Sequence, residues 1–123
     1  MQIKIKTTNI ELTSALSAYV EEKIKSVEKF APPHAEEVLL ANVEIGKTTR
    51  HHNAGDIFCA EVMMTVRGKK YRAVSEKSDL YAAIDDVRNE IVRELNSNKE
   101  KNRTLVRRGA GMIKNLIRFG KKD

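Results

Sequence analysis

The sequence predicts a two-layer α+β domain of order β-α-β-β-β-α, a four-stranded sheet with two helices on one of its faces. Three observations lead there. Short stretches alternate apolar and polar residues, as half-buried strands do. Two longer stretches repeat apolar residues at helical spacing. Each element has an apolar face, and one layer of helices on one sheet buries them all.

Residues 2–8 alternate, with Ile3 and Ile5 on one face and Lys4 and Lys6 on the other. Thr13 is placed to cap a helix running to about Phe30, whose apolar stripe is Leu16, Tyr19, Val20, Ile24 and Val27. Pro32 and Pro33 follow, and a helix does not continue through them. Residues 37–45, EVLLANVEI, form a β-rich run, and the polar stretch 47–56 reads as a loop. Two further runs, 57–67 and 69–76, flank Gly68 and predict a hairpin, with Phe58, Ala60, Val62, Met64 and Val66 on one face. Ser78 is the expected cap of the second helix, with Asp79 in its first turn and Leu80, Ile84, Val87, Ile91 and Leu95 as its buried stripe.

At 123 residues the chain is long enough for one domain with a modest core. Hydrophobic residues make up 41% and charged residues 33%. Cys59 is the single cysteine, so no intrachain disulfide can form, which fits a reducing compartment. The N-terminus lacks the apolar run of a signal peptide, and no stretch approaches the roughly 20 apolar residues of a membrane span. A cytoplasmic protein is expected.

The net charge of +6 is unevenly spread. Residues 99–123 hold nine Lys/Arg and two Asp/Glu, a +7 tail on a body of −1. The expected division is therefore a domain over 1–98 and a basic tail over 99–123. Within the tail, Met112, Ile113, Leu116, Ile117 and Phe119 fall at helical spacing. A short amphipathic helix there is marginal alone and needs a surface to order on. Such a tail suggests a polyanionic partner, nucleic acid or an anionic membrane, against the plainer reading of a solubilising extension.

Asp79-Leu80-Tyr81-Ala82-Ala83-Ile84-Asp85, directly after Arg72-Ala73-Val74-Ser75-Glu76, resembles the signature segment of the ribosome hibernation promoting factor and ribosome-associated inhibitor family. Asn9-Ile10-Glu11-Leu12-Thr13, Ala15-Leu16, Tyr19-Val20 and Lys23 agree with it as well. The resemblance covers about residues 1–101. It implies a fold similar to double-stranded-RNA-binding domains. It also implies binding in the decoding channel of the small ribosomal subunit, against 16S-type rRNA and neighbouring ribosomal proteins. There the protein would block mRNA and the A- and P-site tRNAs sterically. The length matches short members without a dimerisation domain, so a monomer is expected off the ribosome.

Phosphate contacts call for long cationic side chains. The candidates on the first helix are Lys23, Lys25 and Lys29, and on the second Arg88 and Arg93. Lys99 and Lys101 lie just beyond it, and Arg103, Arg107, Arg108, Lys114 and Arg118 lie in the tail. Lys23, Lys29, Arg93, Lys99 and Lys101 match basic positions of the family pattern. Lys23 also falls within the apolar arc of its helix, where an aliphatic stem can cover the core while the ammonium stays in water. The chain departs from the pattern at Glu90, Ser26 and Ser97, where Lys is usual, and at Glu94, where Gln is usual. The second helix is therefore expected to bind RNA less strongly than in a typical member, with the tail compensating.

Other constellations point to no chemistry. His51, His52 and Asp56 sit in a polar stretch without the cysteines or spacing of a metal site. Cys59, among alternating strand residues, is expected to be a buried, inert thiol. Asp85 and Asp86 diverge by about 100° on a helix and cannot act as a paired dyad. Tyr81 and Asp85 are expected to serve packing and electrostatics at the helix start, and Tyr71 to pack rather than stack on a base. Gly109-Ala110-Gly111 lacks the setting of a phosphate loop. No catalytic group, cofactor or metal is expected. A general structured-RNA-binding module and a membrane-surface protein using the tail are the competing functions, the latter disfavoured by a small apolar patch without Trp.

Overall fold

The structure is a computed structural model that describes residues 1–31, 39–49 and 55–97. Strand β1 (Gln2–Thr8) leads into helix α1 (Ser14–Lys25), which tightens into a 3-10 turn over Ser26–Phe30. Strands β2 (Leu40–Thr49), β3 (Asp56–Val66) and β4 (Lys69–Lys77) follow, and helix α2 occupies residues 80–97. The expected order is the observed one.

The strands form a single sheet in the order β1-β2-β3-β4. β1 and β2 are parallel because α1 carries the chain back between them, while β2, β3 and β4 pair antiparallel. The β3–β4 turn places Arg67 and Gly68 at φ 50° and 80°. Positive φ at both central residues gives the twist that suits a two-residue hairpin. Register lines up Ile5, Val43, Val62 and Ala73 across the four strands, with Ile3, Ala41, Met64 and Tyr71 in a neighbouring row. Gly46 lies opposite Thr8, and a Cβ there would stand 2.9 Å from the Thr8 carbonyl oxygen. Only glycine leaves room for that close pairing.

The core is one cluster. Leu16, Val20, Ile24 and Val27 from the α1 segment and Leu80, Ala83, Ile84, Val87, Ile91 and Leu95 from α2 meet the apolar rows of the sheet. Both helices cover the same face, because the alternate strand positions Lys4, Lys6, Asn42, Glu44, Arg72 and Val74 are exposed on the other. Tyr71 is 6% exposed and belongs to the core, so its ring packs instead of offering a stacking face. Cys59 is half-buried, more open than expected, since its strand position faces away from the helices.

Local boundaries differ from the sequence reading for identifiable reasons. α1 gives way to 3-10 geometry at Ser26, where the Ser26 hydroxyl donates to the Lys23 carbonyl at 2.6 Å. β2 begins at Leu40 and runs on to Thr49, and β3 begins at Asp56. The polar residues Lys47 and Thr48 remain in the ladder because backbone pairing, not side-chain burial, holds them opposite Phe58 and Ile57. The cap of α2 is Asp79, not Ser78. Its Oδ1 accepts from the Tyr81 amide at 3.2 Å, and its carbonyl accepts from the Ala83 amide. Thr13 caps α1 as expected, its hydroxyl accepting from the Leu16 amide at 3.1 Å.

Candidate nucleic-acid interface

The outer surface of the helical layer is built by pairs of residues far apart in sequence. Tyr19 meets Tyr81 edge-to-face, with ring centroids 4.7 Å apart. The Tyr19 hydroxyl donates to Asp85 Oδ1 at 2.6 Å, and Lys23 Nζ lies 3.6 Å from the same oxygen. One turn further on, Arg88 Nε donates to the Ser26 hydroxyl at 3.0 Å. The partners climb both helices together, so α1 and α2 run side by side in the same direction. Between them lies a polar groove of about 320 Å³ lined by Glu22, Lys23, Ser26, Asp85, Arg88 and Asn89.

Asp85 is the hinge of this contact. It accepts from Tyr19 and attracts Lys23, whose Nζ also sits 5.5 Å from the Tyr19 ring centroid. The hydrogen bond to Asp85, reinforced by burial and by the carboxylate charge, pushes the Tyr19 phenol up to about 12. A raised phenol favours the folded state while protonated. That contribution is fully present below the ordinary tyrosine value of about 10 and is lost as pH climbs to about 12. Tyr19→Phe is accordingly expected to lower stability at neutral pH. It is also expected to flatten the decline between about pH 10 and 12, as urea melts across that range would register. An equally steep decline in the variant would exclude Tyr19 as its source.

Asp86 faces elsewhere, as one-residue spacing on a helix requires. Its Oδ2 accepts from the Ser75 hydroxyl at 2.9 Å and lies 3.3 Å from Lys77 Nζ. The Ser75 hydrogen bond, followed by that to Lys77, holds its carboxyl below the ordinary range.

The candidate cations divide by their surroundings. Lys23 lies in the groove, its side chain 38% exposed and its charge answered by Asp85. Lys25 and Lys29 are exposed at the end of the α1 segment, with Lys29 Nζ 5.6 Å from the Phe30 ring centroid. Arg88 is half-buried, bonded to Ser26 and to Asn89 Oδ1, and packed against Phe30. Arg93 forms an exposed ion pair with Glu90, so it meets any phosphate with a competing carboxylate at its side. Glu94 is half-buried, and burial together with Glu90 pushes its carboxyl up. The structure thus brings Lys23 and Arg88 to one groove, sets Lys29 at the Phe30 ring that Arg88 also packs on, and leaves Lys25 and Arg93 outside the groove lining. Lys99, Lys101, Arg103, Arg107, Arg108, Lys114 and Arg118 lie outside the described residues, as do His51, His52 and the amphipathic 112–119 stretch.

The sequence marks Ser26 as a departure from a family lysine and Asp85 as a residue of helix-start packing and electrostatics, and neither reading contains the contact each makes with the other helix. Their signal lies in pairings 62 and 66 residues apart, which no local spacing carries.

Comparisons with known proteins agree with this architecture. Residues 3–103 match the model of the family described as Sigma 54 modulation protein / S30EA ribosomal protein. A Ribosome hibernation promoting factor of Klebsiella oxytoca is 30% identical over 101 residues, covering 82% of this chain and 96% of the relative. A Ribosome hibernation promotion factor of Picosynechococcus is 33% identical over 104 residues, covering 83% of this chain but 51% of that longer protein. The crystal structure of the Thermus thermophilus Protein Y N-terminal domain superposes with a TM-score of 0.65 at 27% identity, covering 77% of this chain and 96% of that one. The chain therefore belongs to the Sigma 54 modulation protein / S30EA ribosomal protein family.

Proposed function

We propose that this protein is a ribosome hibernation factor that binds the small ribosomal subunit in its decoding channel and excludes mRNA and the A- and P-site tRNAs. The observation that carries the reading is the helical face. Lys23 and Arg88 line the groove between α1 and α2 on a two-layer wedge, and Lys29 joins Arg88 at the Phe30 ring. Relatives matched over 96% of their own length bear the name ribosome hibernation promoting factor.

Filling a channel is a steric act and asks for no reacting group. What it does ask for is a rigid body whose surface cations replace the counterions of rRNA phosphates. One core joining both helices to the sheet supplies the rigidity. The groove cations supply part of the charge, and the +7 segment 99–123 supplies more. The ion pair between Arg93 and Glu90 reduces what the distal part of α2 can give, which places the greater weight on the tail. The ribosome as partner places the protein in the cytoplasm, and among the described residues no helix is long and apolar enough to cross a membrane.

The direct test is translation in a cell-free extract titrated with the purified protein, together with imaging of its complex with small subunits. Synthesis is expected to stop as the protein saturates the subunits, with density in the decoding channel. Full synthesis at saturation, or density elsewhere, contradicts the mechanism. Equal affinity for assembled subunits and for a free RNA duplex at matched salt would identify a general RNA binder instead.

A further inference from the structure

Arg88 differs from the other candidate cations in how it is held. Ser26 carries one hydroxyl proton, and it is committed to the Lys23 carbonyl at 2.6 Å. The lone pairs of the hydroxyl are thereby free to receive Arg88 Nε at 3.0 Å. The guanidinium also lies 5.6 Å from the Phe30 ring centroid, and its Nη1 donates to Asn89 Oδ1 at 3.1 Å. All of these partners are neutral. Among the described residues no carboxylate pairs with Arg88, in contrast to Lys23 with Asp85 and Arg93 with Glu90. Among the described residues Nη2 has no hydrogen-bond partner, and Arg88 lines the polar groove. Lys29 Nζ sits over the same Phe30 ring, so two cations converge there.

We propose that Ser26, Phe30 and Asn89 are positioning residues that fix Arg88 of α2 against the surface of the α1 segment as a preorganised fork for one RNA phosphate. This rests on the reading of the protein as an rRNA binder and names the subsite within it. An arginine already held in place loses less side-chain freedom on binding than a free lysine. Its planar fork also matches a phosphate bidentately, which a lysine cannot do. Position 26 carries a short hydroxyl rather than a cation, yet the groove beside it still holds a positive charge, delivered from the opposite helix. Of the two carboxylates lining the groove, Asp85 is engaged by Tyr19 and Lys23, which leaves Glu22 as the repulsive neighbour.

The test measures binding of the full chain to purified small subunits, and to a short RNA duplex, over a salt series. Arg88→Gln is expected to weaken binding about tenfold and to make the salt slope shallower by about 1. Arg88→Lys is expected to restore the slope but not the affinity. Ser26→Ala keeps the charge and is expected to cost about two- to tenfold with the slope unchanged, while Ser26→Thr, which keeps the hydroxyl, costs little. In the Arg88→Gln background Ser26→Ala is expected to add nothing. Glu22→Gln is expected to tighten binding. Wild-type binding with Arg88→Gln unaffected, or a Ser26→Ala loss of the same size in both backgrounds, overturns the subsite and leaves the ribosomal reading intact. A wild-type protein that binds neither subunits nor duplex at low salt overturns both.

Discussion

Ending the chain after Lys101 is expected to weaken its binding to small ribosomal subunits by roughly two orders of magnitude at moderate salt, the largest effect of any change considered. Residues 102–123 hold seven Lys/Arg and one Asp. If each cation displaces a counterion from rRNA, the plot of affinity against salt becomes shallower by up to about 6 on removal of the segment. The described domain replaces that charge only in part, since Lys23 and Arg93 already have carboxylate partners. Co-sedimentation of the full and shortened chains across a salt series provides the measurement. Matching affinities and slopes would show that the domain alone carries the interaction and that the tail serves another purpose.

Replacing Ile24 by Ala is expected to cost about 2–5 kcal/mol of folding stability, a large part of the roughly 5–15 kcal/mol that holds a domain of this kind together. Ile24 is fully buried in the cluster that joins α1 to the sheet and to α2. The surrounding cluster is drawn from both helices and the sheet, and its members cannot all close on the vacated space. Urea unfolding followed by circular dichroism gives the number. A loss below about 1 kcal/mol would mean that the site collapses easily and that the core is looser than its burial implies. Because Ile24 has no exposed surface, any fraction that remains folded is expected to bind subunits normally. This separates the variant from Arg88→Gln, whose fold is expected to stand while its binding weakens.

Much of the fold was legible from periodicity. The stripe Leu16, Val20, Ile24, Val27 and the stripe Leu80, Ile84, Val87, Ile91, Leu95 are buried as their spacing requires, while Tyr19 of the first stripe is half-buried at its edge. The alternating residues Val62, Met64 and Val66 are buried as well. Such patterns are local: a residue three or four positions along a helix, or two along a strand, shares a face whatever the rest of the chain does. The errors fell where local pattern carries no information. Lys47 and Thr48 looked like loop because their side chains are polar, yet a strand is held by its backbone. Ser78 and Asp79 are both good caps, and only the path of the chain out of β4 selects Asp79.

Local pattern is enough for the order of elements, the residues facing the core and the concentration of positive charge at the C-terminal end. The snorkelling position of Lys23 was also readable, since one helix sets its own faces. Which charges are answered across the helix pair depends instead on how the two helices dock. Asp85 takes Tyr19 and Lys23, and Ser26 takes Arg88. The contacts between helices depend on how far each has slid along the sheet. A shift of a single turn, about 5.4 Å, would exchange the partners of Asp85 and of Ser26 without altering the apolar pattern that brought the helices there.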